Sequence, residues 1–183
     1  MESNLESQSP GLFKPALNYA LIISVVMIII GLIFYLAGHP TANSKVYLEY
    51  AIIIAGLSYA AIVFRNEYSG GFITYGQSLG FIVVTGLITG VILGIWTYIY
   101  LGILAPEVME IIREETIENA YAAAYRFNPN ISDAEIDAMI DIQLRLQRPG
   151  FLAFMNLIGY TFQALIFGLI ISIFVKRKNP DFV

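Results

Sequence analysis

Residues 78–104 read SLGFIVVTGLITGVILGIWTYIYLGIL. No Asp, Glu, Lys or Arg occurs between Glu67 and Glu107. A helix crosses the roughly 30 Å hydrocarbon layer of a bilayer with about 20 apolar residues, so this stretch suffices for one crossing. Within it Gly86, Gly90 and Gly94 stand four apart and share one helix face, flanked by Thr85 and Thr89. Small residues at that spacing let two backbones approach closely, the contact on which lipid-embedded helices depend. The stretch therefore reads as a membrane span with a packing stripe.

Working outward, the same absence of charge recurs between Lys14 and Lys45 and between Arg148 and Lys176. The spans expected are residues 15–37, 47–64, 78–104 and 151–175. Pro15 suits a first helical turn, and Gly38-His39-Pro40 stops the first span. The second span is the shortest, with Glu49 expected in its first turn at the headgroup level. The fourth span offers Ala164, Gly168 and Ser172 as a stripe to meet Gly86, Gly90 and Gly94. Consecutive antiparallel spans are expected to pack along these stripes, and dimerisation of two chains through the glycines is the alternative. The fold class expected is all-α: an integral membrane four-helix bundle forming a single domain over 1–183.

Composition agrees. Hydrophobic residues make up 57% of the 183 and charged residues 13%, about half the charged share of a soluble domain. There is no Cys, hence no disulfide, thiolate metal site or Cys nucleophile. A net charge of −4 leaves no basic surface for nucleic acid. The N-terminal stretch carries Glu2 and Glu6 and its apolar run is long for a signal peptide, so the first span is expected to be retained.

Residues 105–148 form the one sizeable extramembrane part, expected as an amphipathic helical hairpin. Its first helix opens at Pro106-Glu107 and carries an apolar row of Ile117, Ala120, Tyr121, Ala124 and Tyr125. Asn128-Pro129-Asn130 ends it. Ser132 and Glu135 form a capping box for the second helix, with Ile131 and Ile136 placed as a staple. Pro149-Gly150 is expected to break the chain before the last span. The hairpin reads first as a self-packed or surface-lying element, and second as a docking face. Its carboxylates, without EF-hand spacing, read as a solvated face.

Lys14, Arg65, Lys176, Arg177 and Lys178 lie on the side of the termini, and Lys45, Arg113, Arg126, Arg145 and Arg148 on the other. The tie is broken by the dense trio after the last span, so both termini are placed in the cytoplasm.

Chemistry is sparse. No ionisable side chain is expected in the middle of a span, which speaks against proton relays and ion-coupled carriers. The polar span residues are Asn18, Thr85, Thr89, Thr97, Asn156 and Gln163; the last two read as helix cross-links. Trp96, Tyr98 and Tyr100, with Tyr47, Tyr50 and Tyr160, read as an interfacial aromatic belt. His39 is the one His, and no metalloprotease, hydrolase or phosphate-loop motif is present. No catalytic residue, cofactor or metal site is assigned.

Four stretches together resemble the bacterial membrane family called domain of unknown function 4199. They are Phe72 to Leu79 (FITYGQSL), Trp96 to Tyr100 (WTYIY) followed by Pro106-Glu107, Ile131 to Ile136 (ISDAEI), and Leu169 to Lys178 (LIISIFVKRK). The resemblance implies a small four-span protein with a helical insertion before the last span, and no activity or catalytic residues. The function expected first is a non-enzymatic accessory or scaffold subunit of the bacterial inner membrane. Its surroundings are the lipid bilayer and a membrane-protein partner or further copies of itself. A small channel or carrier is the alternative. An enzyme using Glu114 or Glu115 on lipid-linked substrates ranks last.

Overall fold

The computed structural model of the chain describes residues 11–178. Residues 1–10, with Glu2 and Glu6, and 179–183 lie outside the described residues. Among the described residues six α-helices follow one another: α1 (Phe13–Leu36), α2 (Asn43–Val63), α3 (Tyr75–Ile99), α4 (Glu107–Phe127), α5 (Asp133–Leu146) and α6 (Pro149–Val175). α2 runs on into a wide π-helical turn at Phe64–Tyr68, and α3 into another at Tyr100–Leu104. Among the described residues there is no strand, only one antiparallel bridge between Ile73 and Arg177. Counting the π turns that follow α2 and α3, α1, α2, α3 and α6 span 24, 26, 30 and 27 residues, and an 18-residue stretch in each has a mean hydropathy of 2.8, 1.8, 2.3 and 2.1. All four are long and apolar enough to cross a membrane.

Helix starts lie upstream of the apolar runs. α2 begins at Asn43 rather than 47, and α3 at Tyr75 rather than 78. Hydropathy marks where lipid contact begins, whereas a helix begins at its cap. Thr74 accepts a hydrogen bond from the Gln77 N–H, and the Gln77 side chain accepts from the Thr74 N–H. This reciprocal box satisfies two donors that would otherwise be orphaned. Pro149, expected as a break, is instead the first residue of α6, where a missing N–H costs nothing.

The packing is inverted relative to a soluble domain. Ser24, Ser78, Thr85, Thr89 and Ser172 are buried, whereas Ile22, Ile33, Ile95, Phe162 and Phe174 are exposed. Large apolar patches on a surface need an apolar surrounding, and close helix contact inside lipid needs small side chains. Four of these five hydroxyls are paired: Thr85 donates to the Phe81 carbonyl, Thr89 to the Thr85 carbonyl, and Ser172 to Ser78 across the helices at 3.1 Å, whereas the Ser24 hydroxyl is buried without a partner.

α3 and α6 lie against each other along their length. A Cβ added at Gly86 would stand 2.0 Å from the Cβ of Ala164. One at Gly90 would stand 2.9 Å from the Leu157 carbonyl oxygen, and one at Gly94 2.8 Å from that of Ala153. From the other side, a Cβ on Gly168 would meet Leu79 and Ile82 at 3.0 Å. Ser78 and Ala153 extend these rows. A period of four could have found Ser78, which stands eight residues before Gly86. α1 packs on α2 and α3, where Gly56 receives the side chain of Ile23.

The end of the helices away from α4 and α5 is pinned by α6. The Arg65 guanidinium donates to the Val175 carbonyl at 3.1 Å, capping an orphan acceptor of α6. Ile73 and Arg177 exchange backbone hydrogen bonds of 3.0 and 2.9 Å. Gly70 and Gly71, both at positive φ, make the turn that brings Ile73 there. That role accounts for the glycine pair without a phosphate.

Candidate functional site between the long helices

Starting α2 at Asn43 moves Glu49 one helical turn inward from its expected place. Glu49 is the seventh residue of a 26-residue crossing. At 1.5 Å per residue it lies about 9 Å from the helix start, hence about 5 Å inside the hydrocarbon boundary if the excess length is shared. Lys45 is one turn above, with Nζ 3.5 Å from the Glu49 carboxylate. Neither end of the pair is fully shielded; the side chains are 25% and 24% exposed. A Lys placed N-terminal to Glu is the weaker orientation of an i,i+4 pair, worth a few tenths of a kcal/mol at about 0.2–0.5. Placing a charge in lipid costs about 2.5–3.5 kcal/mol or more at mid-span and less toward the interface, on the order of 1 kcal/mol at the depth of Glu49. The pair does not offset such a cost by itself, so a polar surrounding has to.

A cleft supplies that surrounding. Two cavities of about 180 Å³ each share Met27, Glu49, Asn156 and Tyr160 in their walls. The first is lined by Lys45 of α2, by Trp96 and Thr97 of α3 and by Tyr100 of the π turn that follows it. The second runs between α2 and α6 along Val46, Tyr50 and Gln163. Asn156 donates to Thr97 at 2.6 Å, so it ties α6 to α3 and also faces the cleft. Gln163 is the fifteenth residue of α6, about 21 Å along it and thus near mid-depth. Polar lining therefore reaches from the α4 end to the middle of the helices.

Of the polar span residues expected from sequence, Thr97, Asn156 and Gln163 come together in this cleft. Thr85 and Thr89 turn to their own helix backbone, and Asn18 faces outward. Gln163, read as a cross-link, lines the cleft. The aromatic belt divides: Tyr47 and Tyr98 are 73% and 54% exposed, whereas Trp96, Tyr100 and Tyr160 form cleft wall. Trp96 and Tyr100 stand one turn apart and stack at 5.8 Å; Tyr98 lies on the opposite side of α3. Lys45 and Glu49 were missed as site residues. Their spacing of four, just ahead of an apolar run, was the available signal. His39 is exposed in its turn, and among the described residues no three His, Asp or Glu side chains gather as a metal would need.

Above the cleft sits the α4–α5 hairpin. Val108 and Met109 bury against Leu101 and Ala105, with Tyr35, Tyr100 and Leu152 around them. Tyr35 packs edge-on against Tyr100 and donates to Glu107 at 2.5 Å; the donated proton holds the Glu107 carboxyl below its ordinary range. That tie is intact above the ordinary carboxylate pKa and is lost as acid protonates Glu107. Thr41 of the α1–α2 turn donates to Glu115 at 2.5 Å. α4 is thereby held to the long helices at its first turns, and Glu107 is one side chain removed from the cleft wall. α5 starts at the capping box of Ser132 and Glu135 and buries Ile136 and Ile140. The expected apolar row of α4 is only half covered, with Ile117 and Tyr125 exposed.

Two tyrosines close the hairpin. Tyr121 donates to Asp137 at 2.7 Å and Tyr125 to Asp133. Donation favours the neutral phenol, so Tyr121 is pushed up to about 12, and Tyr125 is raised by Asp133 in the same way. A raised folded-state pKa stabilises below the unfolded value, here 10.0, and the contribution is lost as pH rises through the folded one. The distance between spin labels on α4 and α5 is expected to stay constant up to pH 10 and to widen toward pH 12. The Tyr121→Phe, Tyr125→Phe double variant should lack that alkaline step. A hairpin that opens identically with and without the two hydroxyls would contradict the assignment.

The profile of the family described as "Protein of unknown function (DUF4199)" matches residues 18–177, most of the chain. The chain belongs to this family. The matched region of this DUF4199 protein ends at Arg177, the residue bridged to Ile73. The four stretches that carry the resemblance fall at the Thr74–Gln77 cap, the cleft wall at Trp96–Tyr100, the Ser132–Glu135 cap and the pinned end of α6. Among curated proteins and among solved structures nothing matches this DUF4199 chain.

Proposed function

We propose that the chain is a non-enzymatic accessory or scaffold subunit of the bacterial inner membrane. In this reading α1, α2, α3 and α6 form a four-helix bundle in the bilayer, both termini are cytoplasmic, and 105–148 faces outward to a membrane-protein partner or a second copy. One observation carries it: Met139, Ile142 and Leu146 of α5 are 57%, 66% and 48% exposed. They stand three and four apart, on one face of a hairpin tied to the long helices. Exposed apolar rows on an anchored helix suit recognition by a groove. A photocrosslinking residue at each of these positions, in the full chain in its membrane, should yield one adduct of the same mass. The same probe at Asp141 or Arg145 should yield none. Partners that are recovered unchanged after deletion of 105–148 would end this reading.

The cleft favours a second reading, a small channel or carrier. Flux of small solutes into liposomes holding the purified chain separates the two, since a scaffold gives none.

A further inference from the structure

We propose that the cleft bounded by α1, α2, α3 and α6 binds a small zwitterion carrying a primary ammonium and an anionic group, of the phosphoethanolamine type. The inference goes beyond the scaffold reading and does not depend on it.

The donor and acceptor set points there. Lys45 offers three N–H donors and Glu49 two acceptor oxygens, and among the described residues their one side-chain ionic contact is with each other at 3.5 Å. A simple cation would satisfy Glu49 and be repelled by Lys45; a simple anion would do the reverse. A zwitterion meets both without leaving a charge unpaired. The ammonium belongs at Glu49, whose carboxylate shares the wall with Trp96 and Tyr160. The anion belongs at Lys45. A primary ammonium outranks a quaternary one because Glu49 then accepts a charge-assisted hydrogen bond. The amide of Gln163 lines the second cavity, which shares Glu49 and Tyr160 with the first.

Size agrees. Each cavity of about 180 Å³ has the room of about six waters at roughly 30 Å³ each. A headgroup-sized molecule fits and a whole phospholipid does not. Two sources present this chemistry. A lipid headgroup enters from the bilayer between α2 and α6, past Val46 and Tyr50, which are 42% and 41% exposed. A free solute enters from the α4 end.

Trp96 is the single Trp of the chain and stands in the cleft wall, so its fluorescence reports occupancy directly. The full chain is placed in phosphatidylcholine nanodiscs. In one arm phosphatidylethanolamine replaces a rising share of the lipid; in the other the soluble methyl ester of phosphoethanolamine, a diester with the same single negative charge as the lipid headgroup, is titrated. A saturable change in Trp96 emission is expected in at least one arm, and the soluble methyl ester of phosphocholine should produce none. Glu49→Gln and Lys45→Gln should each raise the half-saturation point about tenfold, the loss of one charge-assisted hydrogen bond. Gln163→Leu, a milder change, should raise it a few fold and serves if the charge variants do not fold. A response in the lipid arm alone assigns the ligand to the bilayer, and one in the soluble arm alone assigns it to the aqueous phase. No saturable change in either arm, an equal response to the phosphocholine ester, or a midpoint unmoved in the folded variants overturns the proposal.

Discussion

Gly86→Leu is expected to unfold the chain at temperatures where the parent is intact, at a cost of about 3 kcal/mol or more. Even the first added carbon would stand 2.0 Å from the Cβ of Ala164, with the Tyr160 carbonyl oxygen at 3.2 Å. Ordinary carbon contacts lie at about 3.5–4.0 Å, so α3 and α6 must separate by more than 1 Å. A gap of 0.5–1 Å already forfeits about a quarter to a half of each dispersion contact. In lipid no hydrophobic gain between helices compensates, because the tails are as apolar as Leu. The control is Gly80→Leu in the same helix, where an added Cβ meets nothing within 4 Å; it should stay within about 0.5 kcal/mol of the parent. Thermal unfolding in detergent micelles measures both. A Gly86→Leu protein as stable as the parent would show that this face of α3 does not hold α6.

Phe64→Ala ranks second, at about 3 kcal/mol. Phe64 is 1% exposed, where α2 widens into its π turn. Its ring stacks on Phe81 of α3 at 4.2 Å and 8°, and on Tyr68 at 5.9 Å and 15°. Truncation removes about 100 Å³ of side chain, and at about 24 cal/mol per Å³ the cavity alone costs about 2.4 kcal/mol. Loss of the aromatic pair adds about 0.5–1.5 kcal/mol. The transfer gain that dominates in water is small here, since the unfolded helices remain in lipid. Phe174→Ala, on a side chain 79% exposed, should be near neutral by the same unfolding assay. Equal melting points for the two variants would mean that Phe64 is not part of the interior.

Both predictions rest on features of unequal legibility. The spacing of Gly86, Gly90 and Gly94 is a local property of one helix, and a period of four is visible without coordinates. Ala164, with Gly168 and Ser172, was likewise visible as the facing row of α6, but that Leu157 and Ala153 meet Gly90 and Gly94 depends on how the two helices are rotated. The stack of Phe64 on Phe81 joins two helices across a turn, and no pattern in either segment announces it. The start of α2 shows the limit of hydropathy most clearly. Lys45 marks the edge of a charge-free stretch, yet the helix begins before it, so a carboxylate expected among headgroups faces a cleft inside.

The apolar runs, the two capping residues of α5 and the polar character of 105–148 were set by the chain alone. Each depends on neighbours within a few turns, where transfer free energy and backbone hydrogen bonding act locally. The cleft was decided by tertiary structure. Lys45, Glu49, Thr97, Asn156 and Gln163 come from three helices, and each taken singly reads as an interfacial or cross-linking residue. They share one space because helices distant in sequence pack side by side, with α3 and α6 in close contact through their small residues and α1 and α2 laid against them.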